Sequence, residues 1–381
     1  MYRRACLLLT LPLLASCGVV KVVNVKSSVD PNTPVRNFTF EQGRAGDEPS
    51  GWKVTTNGPD GRGGFPSDVP LRHRLELTDK VRRSGKQSAH LRPIDNNLGE
   101  KQNGGVQFCG KSPYPGSALI VTVFLRGSPR VSFQADLGNR SIISGLAREW
   151  SKFEAVVLPA DEGHLCLIFF TLSGKGSLWI DDLTVKKLDL SSISPGKVRP
   201  LPLDNLDMEK AGRGGRLASW ELVPWTQDPN KAGKFEMISD ASVKHSGSRS
   251  LRISTEAKPD TSVGGSGAIH CSDATAIRGS LVRAYGWIRT DTAESYPRST
   301  FGLQSMPITI EEALALRASG RPIPALNISS GYKDLPARAD WTRYEVFARV
   351  PQDSILLCLS VALMDVGTIW ADDISVEILE L

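Results

Sequence analysis

Leu178-Trp-Ile-Asp-Asp-Leu-Thr-Val185 returns near the end of the chain as Ile369-Trp-Ala-Asp-Asp-Ile-Ser-Val376. Apolar and β-branched residues with polar ones between them make both octapeptides β-strands. Working outward from this pair, further matches appear in the same order. Asn37-Phe-Thr-Phe-Glu41 returns as Asn205-Leu-Asp-Met-Glu209, and Gly51-Trp52 as Ser219-Trp220. Ser84-Gly-Lys-Gln-Ser88 returns as Ser246-Gly-Ser-Arg-Ser250, the stretch leading to Arg126 as that leading to Arg289, and Trp150-Ser-Lys-Phe-Glu154 as Trp341-Thr-Arg-Tyr-Glu345. An ordered repeat fixes the domain count before any fold is argued. The chain is therefore read as two tandem copies, residues 37–190 and 204–381, joined by a Ser- and Pro-rich linker at 191–203.

Within each copy the pattern stays β. Runs such as Ala118–Leu125, Phe153–Leu158 and Leu165–Phe170 are rich in β-branched and aromatic residues and are set apart by Gly, Pro, Asn and Asp. Short, regularly spaced strands without long helices predict an all-β fold, each copy a sandwich of two antiparallel sheets. The copies differ in one place: 24 positions separate Arg126 from Trp150, whereas 52 separate Arg289 from Trp341. An insertion is expected at about 291–339. Inside it Thr309-Ile-Glu-Glu312 fits a capping box that opens a short helix, with Gly320 and Pro322 as stop signals.

Strict alternation along the repeated octapeptide puts Trp179, Asp181, Leu183 and Val185 on one face, and Trp370, Asp372, Ile374 and Val376 likewise. One carboxylate of each pair thus points with the apolar set. A buried carboxylate is costly alone, so Asp181 and Asp372 require a cation, an arginine or several N–H donors.

Composition narrows the function. In 381 residues, 46 Lys and Arg stand against 41 Asp and Glu, a net charge of +5 that leaves neither half basic enough to suggest nucleic acid. No GxSxG, HExxH or Cys/His nucleophile context occurs, and the repeated acidic pair belongs to a closing strand. Of the six cysteines, Cys6 lies in the N-terminal apolar run. Two fall at matching places in each copy, which pairs Cys109 with Cys166 and Cys271 with Cys358, each closure stabilising by about 4 kcal/mol.

The N-terminus reads as a secretory signal over residues 1–16: two arginines, an apolar run from Ala5 to Leu14, then small residues. Leu14-Ala-Ser-Cys17 resembles the lipobox of bacterial lipoproteins. That resemblance implies lipidation at Cys17, a tether over residues 17–36 and a membrane contact made through lipid chains in the bacterial envelope. Gly18 after the cysteine implies the outer membrane.

Taken together, the ordered motifs of both copies resemble the galactose-binding-like jelly roll, most nearly the carbohydrate-binding modules of families 4, 9 and 22. The resemblance implies a glycan or glycoconjugate as ligand. It also implies one structural calcium per domain, held by Glu41 and Asp181 in the first copy and by Glu209 and Asp372 in the second. A salt bridge or a hydrogen-bonded cap would serve the same carboxylates. Sugar binding needs exposed aromatic faces. The scaffold tryptophans 52, 150, 179, 220, 341 and 370 read mostly as core. The unrepeated aromatics Phe65, Tyr114, Trp225, Tyr285, Trp287, Tyr296 and Tyr332 are the candidate platforms. Three function classes follow: a non-catalytic glycan-binding lipoprotein, a structural envelope lipoprotein packing against protein partners, and a jelly-roll glycosidase or lyase.

Overall fold

The computed structural model describes residues 40–56, 73–94, 104–114, 117–128, 132–136, 141–146, 148–157, 164–171, 176–189, 197–224, 235–255, 265–293, 299–309, 311–312, 328–364 and 366–380. The signal, Cys17 and the tether lie outside them. Among the described residues no helix is long and apolar enough to cross a membrane.

The first copy consists of β1 (Trp52–Thr56), β2 (His73–Thr78), β3 (Ser88–Pro93), β4 (Gly104–Lys111), β5 (Ala118–Gly127), β6 (Ser132–Asp136), β7 (Ser141–Leu146), β8 (Ser151–Val157), β9 (His164–Thr171) and β10 (Leu178–Leu188). Its sheets run β1-β4-β9-β6-β7 and β2-β3-β10-β5-β8, with antiparallel pairing. Residues from both sheets, Leu91, Val121 and Ile180 from one and Val106, Leu167 and Phe169 from the other, meet in a single core. Trp52 sits at the centre of an aromatic group, 5.3 Å from Phe40, 5.5 Å from Phe108 and 5.9 Å from Phe169 between ring centroids.

The second copy follows β11 (Val198–Pro200) with β12 (Glu221–Pro224), β13 (Phe235–Asp240), β14 (Ser250–Thr255), β15 (Ser266–Asp273), β16 (Leu281–Thr292), β17 (Thr300–Met306), β18 (Ile328–Asp334), β19 (Arg338–Arg349), β20 (Leu356–Leu363) and β21 (Gly367–Leu379). These run β12-β15-β20-β17-β18 and β13-β14-β21-β16-β19, the order of the first copy strand for strand. Its own core joins Leu251, Ile288 and Ile369 to Phe301, Leu359 and Val361. Each fully buried side chain of this kind contributes about 1.5–3 kcal/mol. The all-β sandwich expected from the repeat is what the chain forms.

Three expectations change in detail. The linker is shorter than 191–203, because β11 pairs with the end of β21 and Leu201 N–H bonds the Val376 carbonyl at 2.8 Å. The insertion is also narrower than 291–339, since β17 and β18 are the counterparts of β6 and β7. Most of the surplus lies in their connection, residues 307–327 against 137–140. There the capping box forms as read: Thr309 N–H donates to Glu312 Oε2 at 2.9 Å and Glu312 N–H to Thr309 Oγ1 at 3.1 Å. The helix expected beyond Glu312 falls outside the described residues.

Strict alternation along the octapeptide also fails. The β10–β5 register shifts between Asp181 and Thr184, and Asp182 has φ 46°, with Asp373 at 47° in the second copy. This is a β-bulge, which consumes an extra residue and resets the alternation. Leu178, Ile180 and Leu183 face the core while Trp179 stands on the opposite face, as Trp370 does beside buried Ile369 and Ala371. Asp181 and Asp372 themselves are fully buried, as expected.

The cysteine pairing follows the ladders. Cys271 and Cys358 face each other across β15 and β20 in a disulfide with Cα atoms 4.1 Å apart. The β4–β9 register sets Cys109 opposite Cys166 in the backbone. A non-reducing peptide map is expected to show both pairs as cystines and none linking the copies. Recovery of Cys109 and Cys166 as free thiols from protein folded under oxidising conditions would contradict the pairing.

Candidate functional site

The repeated motifs meet in one hydrogen-bonded clasp per copy. In the first, Asp181 Oδ2 accepts the N–H of Arg83 at 2.8 Å and of Ser84 at 3.3 Å, while Oδ1 accepts that of Asp182 at 2.8 Å. Asp182 in turn accepts from the Arg83 guanidinium and from Ser84 Oγ, the latter at 2.6 Å. Glu41 accepts the N–H of Lys86 on both carboxylate oxygens at 3.0 and 2.8 Å. The second copy repeats this. Asp372 accepts from His245 N–H at 2.8 Å, Ser246 N–H at 3.1 Å and Asp373 N–H at 2.8 Å. Ser246 Oγ bonds Asp373 at 2.8 Å, and Glu209 accepts from Ser248 N–H at 2.8 Å and Arg249 N–H at 3.3 Å.

Local backbone chemistry explains why these residue types recur. Phe40 and Met208, each preceding the clasp glutamate, are fully buried at φ 60° and 61°, so an apolar plug in the core aims the carboxylate at the loop. The loop glycines, Gly85 at φ 58° and Gly247 at 57°, lie against that carboxylate, where a Cβ would come within 1.9 and 2.1 Å of a glutamate oxygen. Glycine is required there twice over, by conformation and by space. Ser88 and Ser250 close the loop by donating their hydroxyls to the carbonyls of Val81 and Val243.

These residues were expected to hold calcium, and the donor set does not fit one. Burial holds the Asp181 and Asp372 carboxyls above the usual range, and the groups that oppose it are backbone N–H donors. N–H dipoles converging on a carboxylate serve an anion rather than a shared cation. Among the described residues no group of three or more His, Cys, Asp or Glu could hold a metal ion.

The seven aromatic candidates scatter. Phe65, Trp225 and Tyr296 lie outside the described residues. Tyr114 is exposed in the turn between β4 and β5. Tyr332, on β18, is buried; its hydroxyl bonds Gln304 at 3.3 Å and its ring covers Gly302. Tyr285 and Trp287 do come together. On β16, Val282, Ala284 and Ile288 enter the core, so Arg283, Tyr285, Trp287 and Arg289 project from the outer face in a row about 20 Å long.

Sequence reasoning missed most of what surrounds that row. His245 stacks on Trp287 with ring centroids 4.1 Å apart, meets Trp341 edge-on at 5.7 Å, and places Nδ1 2.7 Å from Asp373. Arg283 contacts Glu377 through Nε at 3.0 Å, and Tyr285 donates to the same carboxylate at 3.1 Å. The Arg343 guanidinium lies 4.2 Å from the Tyr285 ring centroid, and that of Arg289 lies 5.5 Å from Trp370. The first copy fills the matching outward positions of β5 with Ile120, Thr122, Phe124 and Arg126. Its clasp sets Arg83 3.5 Å over Phe124 where the second sets His245 on Trp287.

On the same outer face of the first copy, His90 stacks on Trp179 with centroids 4.7 Å apart, beside Glu76, to which Arg92 Nε donates at 2.8 Å. Burial lowers the His90 pKa from 6.5 to about 4, against the pull of Glu76.

No protein-family model matches the chain, and no curated protein matches it. Among solved structures it is similar to the tandem family 22 carbohydrate-binding modules of Paenibacillus barcinonensis Xyn10C, at 14% identity over 90% of this chain and 96% of that one, with a TM-score of 0.32. A family 22 module of Clostridium thermocellum Xyn10B is 14% identical over 47% of this chain and 97% of that one, with a TM-score of 0.28. The enzymatically active domain of bacteriophage CBA120 tailspike protein 4 is 12% identical over 46% of this chain and 22% of that one, with a TM-score of 0.32. Of the three module families that the sequence resembles, family 22 is the one these modules belong to. At such identities and scores the likeness assigns this chain neither ligand nor activity.

Two outcomes follow from the geometry. Asp372→Ala strands the N–H groups of His245, Ser246 and Asp373 and is expected to destabilise the second copy by about 3 kcal/mol in urea unfolding; a loss under about 1 kcal/mol would contradict the clasp. For His90, the folded chain refuses a proton that the unfolded chain takes up between pH 6.5 and about 4. Its share of the stability is therefore intact above that window and falls as the pH drops, by about 2 kcal/mol at pH 5. His90→Gln is expected to flatten the pH dependence of the urea midpoint by that share, and an unchanged slope would contradict it.

Proposed function

We propose that the chain is a non-catalytic binding protein of the bacterial envelope, lipid-anchored through Cys17, that holds a polysaccharide or glycoconjugate on its second sandwich. One observation carries this reading. The two copies share one fold, one clasp and a repeated tryptophan pair, Trp150 and Trp179 against Trp341 and Trp370, yet only the second adds Tyr285 and Trp287 in an outward row. Thr122 and Phe124 serve the same fold without that row. Tyrosine and tryptophan beyond what the scaffold needs, on an outward sheet face, suit recognition of a ligand with both apolar and hydroxyl surfaces.

The non-catalytic reading has a local support. Bond cleavage between sugars needs two carboxyl groups flanking the bond. Here the paired acids of each octapeptide are engaged by N–H groups and hydroxyls of their own clasp, and Glu377 is engaged by Arg283 and Tyr285.

Titration of the full chain against a panel of polysaccharides checks the proposal. Binding to at least one glycan is expected, weakened about tenfold or more by Tyr285→Ala with Trp287→Ala and accompanied by no release of reducing ends. Uniform absence of binding would instead favour the structural-lipoprotein class.

A further inference from the structure

Three arginines on the outer face of β16, β19 and β21 stand in two different states. Arg283 is spent: its Nε and a terminal nitrogen reach Glu377 at 3.0 and 2.5 Å. Arg343 and Arg289 are not. Arg343 is exposed, its guanidinium rests over Tyr285 at 4.2 Å, and among the described residues no acceptor engages it. Arg289 rests over Trp370 at 5.5 Å, and its nearest acid, Asp340, stands 4.0 Å away with 87% of its side chain in solvent. An ion pair that open contributes little.

A guanidinium laid over an aromatic ring keeps its N–H fork pointing sideways and loses less freedom on engaging an anion. Cross-strand register places the two arginines on one stretch of this face, each with its own ring. Arg343 is the Cα partner of Trp287 on β19, and Arg289 is the next outward residue along β16, about 7 Å on. The rings beneath them, Tyr285 and Trp370, sit on the same face. The first copy has Thr122 and Lys152 where the second has Tyr285 and Arg343, so the fold does not require that pairing of ring and fork, whereas Arg126 and Trp179 stand where Arg289 and Trp370 do.

Resting on the glycan-binding reading, we propose that this face of the second sandwich is specific for an acidic polysaccharide of the uronate type, Arg343 and Arg289 each receiving a sugar carboxylate. The carboxylate matches a guanidinium fork as a bidentate acceptor. Asp340 and Glu345, which share the face, bring it near neutrality, so it suits one negative charge per sugar rather than a densely sulfated or phosphorylated chain.

The test is calorimetric titration of the full chain with polygalacturonate, carboxyl-reduced polygalacturonate, a neutral β-glucan and heparin. The expected result is polygalacturonate binding at least tenfold tighter than its reduced form and tighter than heparin. Arg343→Gln with Arg289→Gln should abolish that preference, with the near-UV circular dichroism spectrum unchanged and Arg199→Gln without effect. Equal binding of the acidic and reduced polymers, a double variant that keeps the preference, or tighter heparin binding would each overturn the inference while leaving glycan binding standing. Binding to the neutral β-glucan alone would overturn it likewise. Failure of every polymer to bind would overturn the glycan reading itself, and the inference with it.

Discussion

A buried carboxylate at a bulge in the closing strand is the constraint on which each sandwich depends. Asp181 and Asp372 are wholly removed from water, and such a charge is tolerated only where donors surround it. The donors come from a loop nearly a hundred residues earlier in the first copy and well over a hundred in the second, and the opening glutamate grips the same loop from the other side. Three separate pieces of chain, the opening segment, the Ser-Gly loop and the last strand, are thereby fixed to one another outside any β-ladder. The left-handed backbone at Phe40, Met208, Asp182 and Asp373 is the conformational cost of that convergence, of order 1–3 kcal/mol at each residue.

Because the chain contains the fold twice, it supplies its own control for what the fold demands. The strand order, the clasp carboxylates, the loop glycine and the buried plug appear in both copies and belong to stability. What differs is the finish of the outer face. Arginine over phenylalanine beside the first clasp becomes histidine over tryptophan beside the second. The plain Thr122 position becomes Tyr285 with a guanidinium laid on it. Residues free to differ while the architecture stays constant are where binding chemistry can be placed, which is why the functional proposals rest on the second copy.

Much of the architecture was legible in the sequence because it depends on local pattern and on order. The repeat gave the domain count, the turn-bounded apolar runs gave the strands, and matching positions of Cys271 and Cys358 gave a disulfide that the ladder then carries. The capping box at Thr309 and Glu312 is wholly local and was read directly. The direction of Trp179 and Trp370 does not follow from alternation because a bulge is a cross-strand event; nothing in Trp-x-Asp-Asp announces that the second aspartate will adopt a left-handed φ. Residue types alone also left open whether Asp181 and Asp372 meet a cation or N–H donors. Both satisfy a buried carboxylate, and only the loop's path decides. The stacking of Arg343 on Tyr285 stayed hidden for a similar reason, since residues 58 apart in sequence become neighbours through the β16–β19 register.

Amide hydrogen exchange at the clasp loops bears most directly on this account. If the carboxylates of the closing strands truly accept these N–H groups, the amides of Arg83, Ser84, His245 and Ser246 will exchange as slowly as those of the central strands β5 and β16, although they belong to loops. Exchange at the rate of a free loop, or protection that appears only when calcium is added, would contradict it.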